Sequence, residues 1–77
     1  MEETRRLDTL ETGERAVVAR VDGLERRRLQ ELGFVPGGRV AAVQESPWGD
    51  PVAYSVCGAV IALRRCDARQ IWIVEET

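Results

Sequence analysis

RRLQELGFVPGGRV, residues 27–40, decides the fold of this chain. Its first half is built of good helix formers, and Gly33 stands where a left-handed residue ends a helix, with Phe34 placed to pack back on it. Pro36 and Gly37 then fill the central positions of a type II turn, because proline presets the first dihedral and glycine accepts the positive one after it. The chain must therefore leave a short helix, turn once and enter a strand at Arg39.

Upstream, LERRRLQEL (24–32) reads as a helix of two to three turns whose one side carries Leu24, Arg28, Leu29 and Leu32. Asp22 with Glu25 three residues later resembles a capping box that opens it. RAVVARV (15–21) alternates as a strand, with Val17, Ala19 and Val21 on one face and Ala16, Val18 and Arg20 on the other. LDTLETGE (7–14) offers Leu7 and Leu10 for burial and a turn at Thr12 and Gly13, while residues 1–6 are charged and read as a flexible N-terminal tail.

Downstream, RVAAVQE (39–45) and VAYSV (52–56) read as strands joined by the loop SPWGDP (46–51), where Gly49 and Pro51 shape the turn. Val52, Tyr54 and Val56 share a face. Cys57-Gly58 is a two-residue hairpin turn leading into AVIALR (59–64), and Gly58 takes the positive φ. Cys66 to Gln70 is one helical turn, and IWIV (71–74) is a fifth strand. The result is a mainly β domain over 7–77: a small, partly open, five-stranded SH3-like barrel with one inserted α-helix and a short C-terminal helical turn. Periodicity alone gives five strands and a helix, not the barrel type.

Composition agrees. Apolar residues make up 44% and aromatics only 5%, so valine and alanine must fill a thin core, as suits a narrow barrel. The net charge is −2, and all eleven basic residues are arginines scattered along the chain. No basic stripe with interleaved aromatics is present, which argues against nucleic acid as a partner. No apolar run approaches the ~20 residues that span a bilayer, so direct membrane insertion is not expected. The polar start MEETRR does not resemble a signal peptide, and a cytoplasmic location is expected. Cys57 and Cys66 have no metal-site spacing and are too few for a disulfide framework.

Three segments in this order resemble the FeoA family of bacterial ferrous iron transport: LDTLETGERAVVARV, RRLQELGFVPGGRV, and PWGDPVAYSVCGAVIALR continued by DARQIWI. The resemblance covers roughly residues 7–74. It implies an SH3-like barrel and a partnership with the cytosolic GTPase region of the FeoB ferrous iron transporter, which would recruit the protein to the inner membrane. A similar domain forms the C-terminal regulatory module of metal-dependent repressors of the diphtheria-toxin-repressor type. A detached, metal-responsive regulatory domain is thus the alternative, although this chain lacks the helix-turn-helix such a repressor needs. The segment VDGLERRRL departs from many relatives in its short entry to the helix. The resemblance leaves weak homo-oligomerisation open.

The residue inventory points to an interaction protein and not to an enzyme. There is no histidine, and no nucleophile, base and oxyanion donor are assembled. The resemblance brings transition metal ions into view, but a site here would have to use carboxylates such as Asp50 or Glu45 with Cys66. Asp50 is better explained as bonding the backbone of its own loop. No metal ligand, cofactor or catalytic residue is therefore assigned. Cys66 reads as a cap of the late helical turn, and Cys57 as an exposed, oxidisable thiol. Partner-binding candidates are Trp48 on its proline-bounded loop, Trp72 on the last strand, facing outward or capping the barrel end, Asp50, and Arg27 and Arg28 on the helix, where a cation could reach a partner GTPase. Asp22, Gly33, Pro36, Gly37, Gly49, Pro51 and Gly58 are the expected turn and cap residues.

Overall fold

A computed structural model describes residues 3–76 of the chain. The elements run β1 (Arg5–Arg6), a 3-10 turn (Leu7–Thr9), β2 (Arg15–Val21), α1 (Arg26–Leu32), β3 (Arg39–Glu45), β4 (Val52–Val56), β5 (Ala59–Leu63), α2 (Arg65–Ala68) and β6 (Ile71–Glu75). All pairings are antiparallel in the order β1-β6-β2-β3-β4-β5, the strand order of a small SH3-like barrel. Strands β2, β3 and β4 begin and end where the alternation places them.

The expected tail over 1–6 is corrected at its end. Arg5 and Arg6 pair with Ile73 and Trp72, which adds a sixth strand to the five expected. Leu7 directly after them is fully buried and anchors this pairing. The rest of the expected tail is exposed at Glu3 and Thr4 and lies outside the described residues at 1 and 2.

The turn chemistry around the opening stretch is observed in full. Phe34 N–H donates to the Leu29 carbonyl at 3.1 Å and Gly33 N–H to that of Gln30 at 3.0 Å. With Gly33 at φ 119° these bonds form a Schellman motif. Phe34 and Leu29 are both fully buried, so helix end and core are fixed together. Gly38 N–H closes the Pro36-Gly37 turn on Val35 O at 2.9 Å, and Gly37 N–H donates to Val18 O while Val18 N–H donates to Gly38 O, both at 2.8 Å, which ties the turn to β2.

Helix entry differs from the expectation. α1 starts at Arg26, its N-cap Glu25 makes no side-chain cap bond, and Asp22 caps nothing. The Gln70 side chain takes that place by accepting from Glu25 N–H at 3.3 Å, and a Cβ on Gly23 would collide with the same carboxamide. Leu24 therefore precedes the helix and stands fully in solvent, while Leu29 alone of the expected stripe is buried.

Two bulges reset the alternation. Register shifts between Val18 and Arg20 in β2 and between Ala42 and Gln44 in β3 each insert one residue. The inward set of β2 is consequently Ala16, Val18 and Val21, which mixes the two faces that strict period two separates. Val52, Tyr54 and Val56 do share the inner face, and the core closes around Tyr54, Phe34, Ile71 and Ile73.

Candidate partner-binding surface

The SPWGDP loop is short, folded on itself and clamped from outside. Gly49 N–H donates to Ser46 O at 2.8 Å, and Ser46 N–H reaches Pro51 O at 3.1 Å. Arg65, at the start of α2, donates from Nε to Gly49 O at 2.6 Å and from a terminal guanidinium nitrogen to Asp8 O at 3.0 Å. Its other terminal nitrogen faces Glu45 at 4.0 Å. One planar guanidinium thus ties the loop, the 3-10 turn and α2 into one block. Sequence reading missed Arg65, because nothing local distinguishes it from the other arginines.

Asp50 belongs to the same block. Its carboxylate accepts from the backbone N–H of Arg65 at 3.0 Å, so it caps the start of α2 from a distance and does not turn its own loop. Cys66 makes no such cap, and the thiol is exposed. Glu45 and Asp50 are both engaged with Arg65, and no group of three or more Cys, Asp or Glu side chains converges among the described residues.

On this rigid base Trp48 stands 89% exposed. A bare indole on a loop restrained by hydrogen bonds loses little entropy when a partner covers it. Beneath the loop the Tyr54 hydroxyl is buried without a hydrogen-bond partner among the described residues, and burial pushes its pKa up to about 12.

Trp72 is placed differently. Its ring lies between the guanidinium groups of Arg6 and Arg20, 4.9 and 4.7 Å from the ring centre. Its indole N–H donates to Asp22 at 2.9 Å. Arg20 also donates to Asp22 at 3.1 Å, and that bond, with the indole's, holds the Asp22 carboxyl below the usual carboxylate range. Trp72 faces outward, but its stacking faces are occupied. Arg28 is likewise engaged, with Asp67 at 3.0 Å and Glu25 at 3.7 Å. Arg27 is exposed and has no ion pair among the described residues. The structure therefore does not bring the sequence candidates together. Trp48 and Asp50 lie on one block, and Trp72, Arg27 and Arg28 lie elsewhere.

Fold and loop define a small SH3-like barrel that carries an exposed tryptophan on a hydrogen-bonded loop. The chain belongs to the FeoA family: the FeoA domain model matches residues 5–75. It is 44% identical over 68 residues to an Fe(2+) transport protein A/Fe(2+) transporter FeoB fusion protein of Porphyromonas gingivalis, a match covering 86% of this chain but only 8% of that protein. It superposes on the FeoA protein of Chlorobium tepidum with a TM-score of 0.87 at 32% identity, over 95% of this chain and 71% of the other. The zinc-complexed FeoA of Stenotrophomonas maltophilia, described as a prokaryotic SH3 domain protein and a candidate ferrous iron transport activating factor, gives 0.81 at 35% identity, over 90% and 88%.

Proposed function

We propose that this protein is a non-catalytic accessory of ferrous iron uptake that docks on the cytosolic GTPase region of a FeoB-type transporter. The observation that carries the reading is Trp48, exposed on a loop that Arg65 and Asp50 hold rigid. Support for the partner comes from the Porphyromonas gingivalis relative, which joins an A-type and a B-type protein in one chain. Fusion fixes two partners at high effective concentration and serves proteins that act together. No helix among the described residues is long and apolar enough to cross a membrane. The protein then works in the cytoplasm and reaches the inner membrane through the transporter.

The deciding experiment is titration calorimetry of this chain against the FeoB cytosolic region in the nucleotide-free, GDP and GTP-analogue states. Saturable one-to-one binding in at least one state is expected. No heat and no co-elution in any state would remove the proposal.

A further inference from the structure

Strand β5 is the long open edge of the sheet among the described residues, since the opposite edge, β1, has two residues. Its backbone pairs with β4 alone, through five consecutive partners from Val52↔Leu63 to Val56↔Ala59 with no bulge. The two-residue turn Cys57-Gly58, with both residues at positive φ, makes Val56 and Ala59 a hydrogen-bonded pair. Bonded and non-bonded pairs alternate, so the N–H and C=O of Val60 and Ala62 point away from β4. Ile61 and Leu63 turn their side chains to the core, while Val60 is 67% exposed and Ala62 is exposed. Sheet edges are normally blunted by charge, proline or a bulge. Residues 59–63 carry none of these.

We propose that the β5 edge pairs with the same edge of a second copy of this chain, antiparallel about a two-fold axis at Ile61. This axis sets Val60 opposite Ala62 of the second copy and Ala62 opposite its Val60. The two pairs use all four outward backbone groups of each strand in four N–H···O bonds. Charge selects the antiparallel sense. Arg64 adjoins the strand at one end, and the two-fold places it opposite Gly58 of the other copy, about 20 Å from that copy's Arg64. A parallel pair would set the arginines side by side. The Cys57-Gly58 end is also where α1 terminates: Cys57 Sγ lies 3.4 Å from Gly33 O, the last helical turn has no basic residue, and it carries Glu31. A guanidinium arriving there meets the negative end of the helix. Five residues with small outward side chains cover less than the ~800 Å² per partner of a standard interface, so the pair dissociates at about 0.1–1 mM. This inference does not rest on the transporter reading.

The test is sedimentation velocity of the whole chain from about 10 μM to about 2 mM, with reductant to keep the exposed Cys57 and Cys66 from cross-linking. It is joined by amide exchange and by interchain NOEs in a mixed-label sample. Wild type should shift toward dimer, with Val60 and Ala62 amides gaining protection as concentration rises and Val60–Ala62 NOEs between copies. Val60→Lys, whose side chain points into solvent, should keep its melting temperature and remain monomeric at the highest concentration. A monomeric wild type with both amides exchanging freely overturns the proposal, as does a Val60→Lys variant that dimerises like wild type. Protection of these amides only when the FeoB cytosolic region is added would assign the edge to that partner and overturn it equally.

Discussion

Arg65 donates from Nε to the Gly49 carbonyl at 2.6 Å, and that bond joins the Trp48 loop to the second helix. The same guanidinium holds Asp8 O, so its removal leaves two partly buried carbonyls without a donor. Hydrogen bonds from charged donors contribute about 1.5–3 kcal/mol each, and the two are coupled through one side chain. Arg65→Ala should therefore lower stability by about 2–4 kcal/mol in urea titration, and Asp50→Ala by less, because one bond to the Arg65 N–H is lost. A wild-type denaturation midpoint for Arg65→Ala would show that the block is not held this way.

Gly33 and Gly58 both have positive φ but differ in what surrounds them. A Cβ at Gly33 would lie 3.1 Å from Cys57 Sγ and 3.3 Å from its Cβ, whereas nothing lies within 4 Å of one at Gly58. Gly58→Val meets dihedral strain alone, about 1–2 kcal/mol. Gly33→Val adds a steric clash at the end of α1 and should lose about 2–4 kcal/mol. Chemical denaturation of the pair gives the order, and equal losses would refute the role of Cys57 as the close neighbour.

The residues whose conformation is set locally were legible in the sequence. Gly33, the Pro36-Gly37 turn and the Cys57-Gly58 hairpin follow from short-range dihedral rules, and they fix the strand ends between them. Features that depend on distant partners were not legible. Asp22 looked like a cap because Glu25 follows it, but its carboxylate is taken by Trp72, fifty residues away. Gln70 caps the helix from forty-five residues away. The bulge in β2 changes which residues face inward, and no sequence pattern announces it. Of the candidate surface, Trp48 was legible because prolines bound its loop. Arg65 was not, since its role exists only after the loop, the 3-10 turn and α2 meet.

Tyr54 makes stability fall in alkali. Burial raises its pKa from the ordinary 10 to about 12 in the folded state. A raised folded value means that the native state keeps the proton after the unfolded chain has lost it. This contribution is whole below pH 10 and disappears as pH rises through 12, an expected loss of about 3 kcal/mol. The chain has no lysine, so few other groups titrate in that window. Because the hydroxyl has no hydrogen-bond partner among the described residues, Tyr54→Phe should fold at least as well as wild type and show no such loss. Urea midpoints across pH 9–12 for both proteins check this, and parallel curves would refute it.

Trp48 and Trp72 should separate binding from folding. Trp48 is 89% exposed, and its loop is ordered by backbone and Arg65 bonds that do not involve the indole. Trp48→Ala should then keep the melting temperature of the wild type. If the indole is the anchor of the transporter contact, its loss removes about 2–4 kcal/mol of binding, a weakening of roughly 30- to 1,000-fold toward the FeoB cytosolic region. Trp72 has the opposite profile. Its ring is stacked between Arg6 and Arg20, and its N–H is bonded to Asp22, so Trp72→Ala should destabilise by about 2–4 kcal/mol. A Trp72→Ala variant that is still folded at the assay temperature should bind as wild type does. Thermal melts and calorimetry on both variants decide the matter. Full binding by Trp48→Ala would make that indole a bystander. Loss of binding by a folded Trp72→Ala, with Trp48→Ala unaffected, would move the contact to β6 and its two arginines.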